Sequence, residues 1–482
     1  MLWLALHFPS LPLQVYTRAI RNAGGAAPLA VVGTQGSQSF IVGCNDAARR
    51  RGVKAGMPPA AASALACDLR LVPRDFAAEE TTLERIAAWA IQFTPAVHIA
   101  PPCTLLLEIA GSLTLFGGLK ALWNIAAEGL RALGYTARIA CAPTPLAAQW
   151  FARAGLPVHL RHADALRVSL PSLPVDAMDL AADALALLQN VGAKTVGDVI
   201  ALPRDGIARR LGQRVLDDLD RAYGALPDPR TYHTPPSVFK AEQPLPAPAH
   251  DAGMLLFAAR RMLVELCGYL TATASGAQRL TFSFEHHKRE PTRVTLSLVA
   301  ATRDAEHLTN VLRERLERTE LAAPATAIQL SSEILLPLAS SNLSLIPDAG
   351  QNEEAAAHLI EKLRARLGDD AVLGLTRHAD HRPERAWRYT EPGSRDAKLG
   401  DIRSRPLWLL AQPRPLSEID NAPCYEGRLS LLAGPERIES GWWDGNDVMR
   451  DYFVAANPVE AMLWIYREHG KAGRWFLHGF FA

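Results

Sequence analysis

Arg279, His286, His287, Lys288, Arg289 and Arg293 fall within one short stretch of the chain. Clustered cations of this kind neutralise nucleic-acid phosphates and give weak, salt-sensitive binding, or they form an ordinary solvated face. A second phosphate-binding candidate is LLQNVGAKTVGDVIALP (187–203), which resembles a helix-hairpin-helix. There a glycine-centred turn would offer backbone N–H groups through Gly192, Lys194 and Thr195; the same residues also read as a plain helical turn closed by glycine. Metal chemistry has weaker support. The six cysteines (Cys44, Cys67, Cys103, Cys141, Cys267, Cys424) are scattered, with no CxxC and no histidine pair at ligand spacing. That argues against a zinc site or a disulfide framework and fits a reducing, cytoplasmic compartment. No metal and no cofactor are expected. With 51 basic and 50 acidic residues the net charge is +1, so nucleic-acid binding would have to rest on local patches.

Positioning these groups requires several domains, since 482 residues exceed the usual size of one or two. The opening MLWLALHFPSLPL lacks the basic n-region of a secretory signal. No run of about 20 apolar residues, the length a membrane span needs, occurs in the chain. Leu2–Phe8 is therefore predicted as a buried strand ended by prolines. Residues 1–165 mix short apolar runs with helical stretches at 82–93 and 119–133, an α/β pattern. Residues 166–232 are helical, and the proline-rich 233–251 reads as an extended linker. The α+β module 252–338 follows, with helices at 254–270 and 304–316 and strands at 279–287, 293–302 and 325–336. Residues 339–350 read as a loop. Residues 351–482 open with a helix at 353–367, and six of the ten tryptophans lie in the last 96 residues, so the region must fold or dock.

Three stretches of the first half resemble the Y-family (translesion) DNA polymerases: VGCNDAARRRGVKAGMPPAAA (42–62) the fingers, LLLEIAGSLTLFGG (105–118) a palm strand, and ARIACAPTPLAAQWFARAG (137–155) the strand and helix that follow. The resemblance covers residues 1–340 and implies palm, fingers, thumb and little finger, in an α/β and α+β multidomain chain with a Trp-rich C-terminal region. In that family the first strand and an acidic pair hold two catalytic metals, because hard Mg²⁺ ions take oxygen ligands. Laid on the family's pattern, the ligand positions fall on Leu6 and Phe8 and on Cys103 and Thr104. No Asp or Glu precedes Asp46, and none lies between Glu84 and Glu108. Glu108 matches an acidic position that is not a ligand. The fingers tyrosine corresponds to Asp46, the fingers arginine to Arg49, two lysines to Pro145 and Gln149, and the steric gate to Leu11. The resemblance thus implies a polymerase fold with no catalytic residues. The alternative is an active translesion polymerase whose metal ligands come from elsewhere, such as Asp46, Asp68 or Asp75.

SNLSLIPD (341–348) is similar to the short peptides with which bacterial proteins bind the sliding clamp, through Asn342, Leu343, Ser344, Leu345 and Ile346, and it also reads as a loop with buried aliphatics. RPLWLLAQPRPL (405–416) and GPERIESGWWDGNDVMRDYFV (434–454) resemble the ImuB-type branch of the Y family. That branch implies an adaptor in DNA-damage-induced mutagenesis. Its partners would be DNA, the sliding clamp, an ImuA-type RecA-like protein and an error-prone C-family polymerase, with no membrane. Trp442, Trp443, Arg450 and Tyr452 would form either a partner-docking face or a small aromatic core.

Overall fold

The computed structural model describes residues 1–19, 27–338, 349–393, 405–469 and 473–481. The chain divides into two compact units, Met1–Arg366 and Leu367–Ala482.

The first unit opens with β1 (Trp3–His7) and α1 (Leu11–Thr17). A small layer follows, made of β2 (Leu29–Gln35), β3 (Gln38–Cys44), α2 (Asp46–Arg50), α3 (Pro59–Leu65) and β4 (Arg70–Pro73), with strand order β3-β2-β4. Next come α4 (Phe76–Ala90), β5 (Val97–Ala100), β6 (Thr104–Glu108), α5 (Leu119–Leu133), β7 (Arg138–Ala142) and α6 (Pro145–Ala154). Strands β5-β6-β1-β7 form an antiparallel sheet with β1 inside it. Side chains alternate along a strand. Leu4, Leu6 and Phe8 accordingly enter one core with Leu83 and Ile86 of α4 and Leu122 and Leu130 of α5, whereas Trp3 and Ala5 enter another with Ala147 and Phe151 of α6. Burial on both faces explains why the opening residues are almost uniformly apolar. Helix α4 starts earlier than the apolar pattern predicts, because Asp75 caps it by accepting a hydrogen bond from the Ala78 N–H.

The helical stretch resolves into α7 (Asp164–Ser169), α8 (Ala182–Asn190), α9 (Val196–Ala201), α10 (Arg204–Leu211) and α11 (Gln213–Tyr223). The proline-rich stretch is more than a linker. Its residues Lys240–Ala249 form β8, which pairs with β11 (Ala325–Pro337). Prolines 244, 246 and 248 are tolerated because β8 is an edge strand, where the missing N–H costs no ladder bond. With α12 (Ala252–Ala272), β9 (Ser275–His286), β10 (Arg289–Thr302) and α13 (Ala305–Leu316), this gives a sheet of order β10-β9-β11-β8. One face of that sheet, including Leu280, Phe282, Phe284, Leu296 and Ile328, packs on α12 and α13. Helix α14 (Ala349–Leu367) belongs with this module, burying Ala365 in its core, and not with the C-terminal region where the sequence pattern placed it.

Helix α12 also joins the module to the first sheet's helices. Glu265 is buried between Arg18, at 2.9 Å, and Arg85, which donates to both of its oxygens. Arg18 donates in addition to the Leu133 carbonyl at 2.8 Å, and Arg85 to the Glu242 carbonyl at 2.8 Å. Trp89 of α4 lies between two glycines. A Cβ on Gly129 of α5 or on Gly268 of α12 would come within 2.4 or 2.1 Å of its ring, so both helices approach at distances only glycine permits.

The second unit holds β12 (Gly374–Arg377) paired with β13 (Trp387–Thr390), then β14 (Trp408–Pro415), and β15 (Ser417–Ile419) paired with β16 (Ala422–Cys424). It ends with β17 (Ser430–Ser440), β18 (Val448–Ala456), β19 (Met462–Glu468) and β20 (Trp475–Phe480). Its main sheet runs β14-β20-β19-β18-β17. Among the described residues no helix is long and apolar enough to cross a membrane.

Burial disfavours ionisation of Glu265, but the Arg85 and Arg18 guanidiniums outweigh it and hold the carboxyl below its ordinary value. A depressed carboxyl stabilises the fold above its unfolded pKa and loses that contribution as pH falls through the folded value. Glu265→Gln is expected to cost about 3–5 kcal/mol at neutral pH, the usual penalty for stranding buried charge. The gap from wild type should stay open down to the ordinary carboxylate range and narrow only as pH falls below it toward the depressed folded value, where the wild type also loses its carboxylate. Urea unfolding followed from pH 7 down to about pH 2 measures both.

Candidate functional site

The end of β1 meets the start of β6, with His7 paired to Thr104 and the Phe8 N–H donating to the Cys103 carbonyl at 2.8 Å. The strand pleat corrects the register expected for the first ligand positions. Leu6 and Phe8 are fully buried in the core beneath α4 and α5, as is Leu11. The side chain that β1 brings to Cys103 and Thr104 is His7. Its Nδ1 lies 2.9 Å from Thr104 Oγ1 and 3.7 Å from Cys103 Sγ. A histidine at that place was visible in the sequence, but only the alternation of buried neighbours shows which residue of LHFP faces the site.

Around this trio lie two guanidiniums that act on His7 and two carboxylates that arginines already hold. Burial, with the Arg153 and Arg138 guanidiniums adding to it, lowers the His7 pKa to about 4, so the ring is neutral at pH 7. Burial raises the Cys103 thiol against the pull of Arg153 and Arg74. The two carboxylates that act on Cys103 are Glu79 and Asp179. Glu79 is buried and held by Arg74 through two bonds of 2.8 Å, and Asp179 pairs with Arg153 at 2.8 Å. Glu108 is at the other end of the strand pair, opposite Trp3, where it accepts from the Leu2 N–H at 3.0 Å.

The acids considered as substitute ligands have other partners. Asp46 takes the Arg49 guanidinium at 2.7 Å, Asp68 pairs with Arg51, and Asp75 caps α4. The Asp46–Arg49 pair also occupies the one fingers cation that the family pattern retains. Gln149 is buried in α6, and Pro145 is that helix's first residue.

The hairpin at 187–203 does form, with Gly192 at φ +80° between α8 and α9, but its donors are already used. The Lys194 and Thr195 N–H groups both donate to Asp198 Oδ2 at 2.9 Å, and the Gly192 N–H donates to the Gln189 carbonyl. Thr195 Oγ1 completes the capping box by accepting from the Asp198 N–H. These backbone bonds, chiefly the one from Lys194, hold the exposed Asp198 carboxyl below its usual value. The expectation of open N–H groups is therefore overturned, and only the Lys194 ammonium remains to meet a phosphate.

The outward face of the β10-β9-β11-β8 sheet has the opposite character. Arg279, Thr281 and Ser283 of β9 pair with Ser297, Thr295 and Arg293 of β10, and Ser283 and Thr281 pair on the other side with Gln329 and Ser331 of β11. Lys240 of β8 pairs with Ser331 and joins this face. Sequence reasoning missed Lys240 because prolines disguised its strand. Arg279 and Arg293 are exposed, as are Lys288 at the β9–β10 turn and Arg289, which donates to the Ala322 carbonyl at 2.6 Å. Short hydroxyl side chains alternate here with exposed cations, and Glu285 shares the face, accepting a hydrogen bond from Ser283 at 3.1 Å.

In the second unit the four candidate docking residues separate. Tyr452 is only 1% exposed, stacked on Trp464 at 4.2 Å and hydrogen-bonded to His478, so it is core and cannot dock. Arg450 bridges Glu384 and the Tyr452 hydroxyl. Trp442 and Trp443, in contrast, are 79% and 57% exposed between β17 and β18. Their turn is held by Asp444, which pairs with Arg382 at 2.8 Å and Arg385 at 2.6 Å. Asn342, Leu343, Ser344, Leu345 and Ile346 lie outside the described residues.

Residues 25–153 match the impB/mucB/samB family. The chain is 29% identical over 463 residues to Protein ImuB from two strains of Caulobacter vibrioides, spanning 89% of this chain and the whole of that protein. Among solved structures it is similar to a Y-family DNA polymerase chimera containing Dbh (TM-score 0.40, 18% identity, 70% of this chain, 99% of that one) and to DinB from Sulfolobus solfataricus (0.39, 17%, 70% and 100%).

Because His7 is held neutral, its ring should titrate near pH 4 and not near 6.5. A lowered histidine stabilises the folded chain above its unfolded pKa, and that contribution is lost as pH falls from about 6.5 to 4. Imidazole chemical shifts against pH test the midpoint. His7→Asn is expected to remove the corresponding part of the acid destabilisation.

Proposed function

We propose that this chain, a homologue of the ImuB proteins over most of its length, is a non-catalytic polymerase relative that acts as an adaptor in error-prone translesion synthesis. One observation carries the reading. Where a two-metal polymerase needs convergent carboxylates, the palm brings together an imidazole, a thiol and a hydroxyl from His7, Cys103 and Thr104, beside Arg153 and Arg138. Hard Mg²⁺ takes oxygen ligands, usually with at least one carboxylate, and the guanidiniums add a repulsive field. The role left to the scaffold is to hold partners together. The cationic sheet face around Arg279, Arg293 and Lys240 would lie along DNA phosphates, with Lys288, Arg289 and Lys194 contributing charge. Residues 342–346 would bind the sliding clamp. The second unit, with Trp442 and Trp443, would dock an ImuA-type RecA-like protein or the C-family polymerase that performs synthesis. Linked weak contacts raise the effective concentration of that polymerase at a lesion.

The alternative of an active polymerase with rearranged ligands finds no support in Asp46, Asp68 or Asp75, whose carboxylates have other partners. Primer extension by the purified chain with Mg²⁺ and then Mn²⁺, beside a mock purification, decides between the two. No incorporation is expected, and incorporation that tracks the protein would sink the adaptor reading. In the same preparation, Arg279→Ala with Arg293→Ala should weaken duplex binding for all sequences alike. The slope of log affinity against log salt should shrink by about two, roughly one for each phosphate that an arginine no longer neutralises. Leu345→Ala and Ile346→Ala should each weaken clamp binding roughly tenfold or more, the loss expected for removing a buried aliphatic. Unchanged clamp affinity in both variants would leave a DNA-binding protein that does not engage the clamp.

A further inference from the structure

Helix α14 is poorly anchored by apolar contacts. Among its described side chains the buried apolar ones are the small Ala357 and Ala365, Ile360 is half-buried, and Leu359, Leu363 and Leu367 are exposed. What meets the module beneath it is polar. His358 and Glu361, three residues apart and so on one helix face, converge on His307 in the first turn of α13. His307 and Glu361 are buried and His358 is half-buried. The His307 Nε2 is hydrogen-bonded to Glu361 Oε2, and the His358 ring lies 3.7 Å from that of His307. One candidate ligand atom from each of the three lies within 4.8 Å of the other two. The second Glu361 oxygen accepts from the Val299 N–H at 2.7 Å, a main-chain bond that fixes the carboxylate as outer partners fix metal ligands.

We propose that His307, His358 and Glu361 form a Zn²⁺ site that staples α14 to the α+β module. Two imidazoles and one carboxylate are a borderline donor set suited to Zn²⁺, which takes four ligands tetrahedrally. Neighbouring ligand atoms around such an ion are roughly 3.4 Å apart at bond lengths near 2.1 Å; the two imidazoles stack 16° from parallel, so the His358 ring turns out of that stack for both lone pairs to meet the ion. Water fills the fourth position from the half-exposed side of His358. The ion takes the place of the His307–Glu361 hydrogen bond and ties three side chains together where two were joined. The ligands were invisible to spacing rules because His307 lies far along the chain from His358 and Glu361.

The test uses the full chain stripped with a chelator and titrated with ZnCl₂ by calorimetry, with hydrogen exchange of the α14 amides read in parallel. One Zn²⁺ per chain is expected, with a higher Tm and α14 exchange slowed at least about tenfold. His358→Ala and Glu361→Gln should weaken uptake by at least about tenfold, as the loss of even an outer-shell partner does. Glu361→Gln can still accept from Val299, and His358 is half-exposed, so both variants should fold without metal. No uptake by wild type, or uptake by both variants equal to wild type, overturns the site. Uptake at these residues without slowed α14 exchange overturns the staple. None of these outcomes depends on whether the chain binds DNA or clamp.

Discussion

The carboxylate of Glu265 couples two modules that their sequences would let move apart. It sits on α12 of the α+β module and is shared by Arg18 and Arg85 from the palm side, in a site too dry for any of the three to stand alone. Trp89, seated against Gly129 and Gly268, adds shape to charge. A buried ion group of this kind contributes less net stability than its Coulomb energy suggests, but it has one geometry. It therefore sets the angle at which the cationic sheet face is presented relative to the palm.

The palm and the hairpin illustrate one physical theme. In each, polar groups that could have met a ligand are satisfied internally. At the palm, Glu79 and Asp179 are consumed by Arg74 and Arg153. At the hairpin, Asp198 consumes the N–H groups that a phosphate would need. The sheet face of β9 and β10 behaves differently, with exposed cations set among serine and threonine.

Much of this was legible in the sequence. Apolar periodicity located β1, α5, α12 and the β9–β10 pair to within a few residues. Absent carboxylates in 1–45 needed no structure at all. Three things were hidden. The prolines of 240–249 masked an edge strand, because proline lowers strand propensity whether or not the lost N–H matters at that edge. A one-residue register decides whether Leu6 or His7 faces Cys103, and local composition does not encode it. Whether a turn's donors are free depends on a side chain three or four residues on, as Asp198 demonstrates. In the second unit, Tyr452 and Trp442 are equally aromatic in sequence, and only packing assigns one to the core and the other to the surface.

Burial keeps the Cys103 sulfur protonated, and it does the same more strongly for Cys141 and Cys267, both pushed up to about 12. The thiolate is the form that reacts with peroxides and electrophiles. At these three positions the packing that fills the interior also withholds the reactive form of the sulfur, so the same burial that holds the sheet together makes its thiols poor nucleophiles.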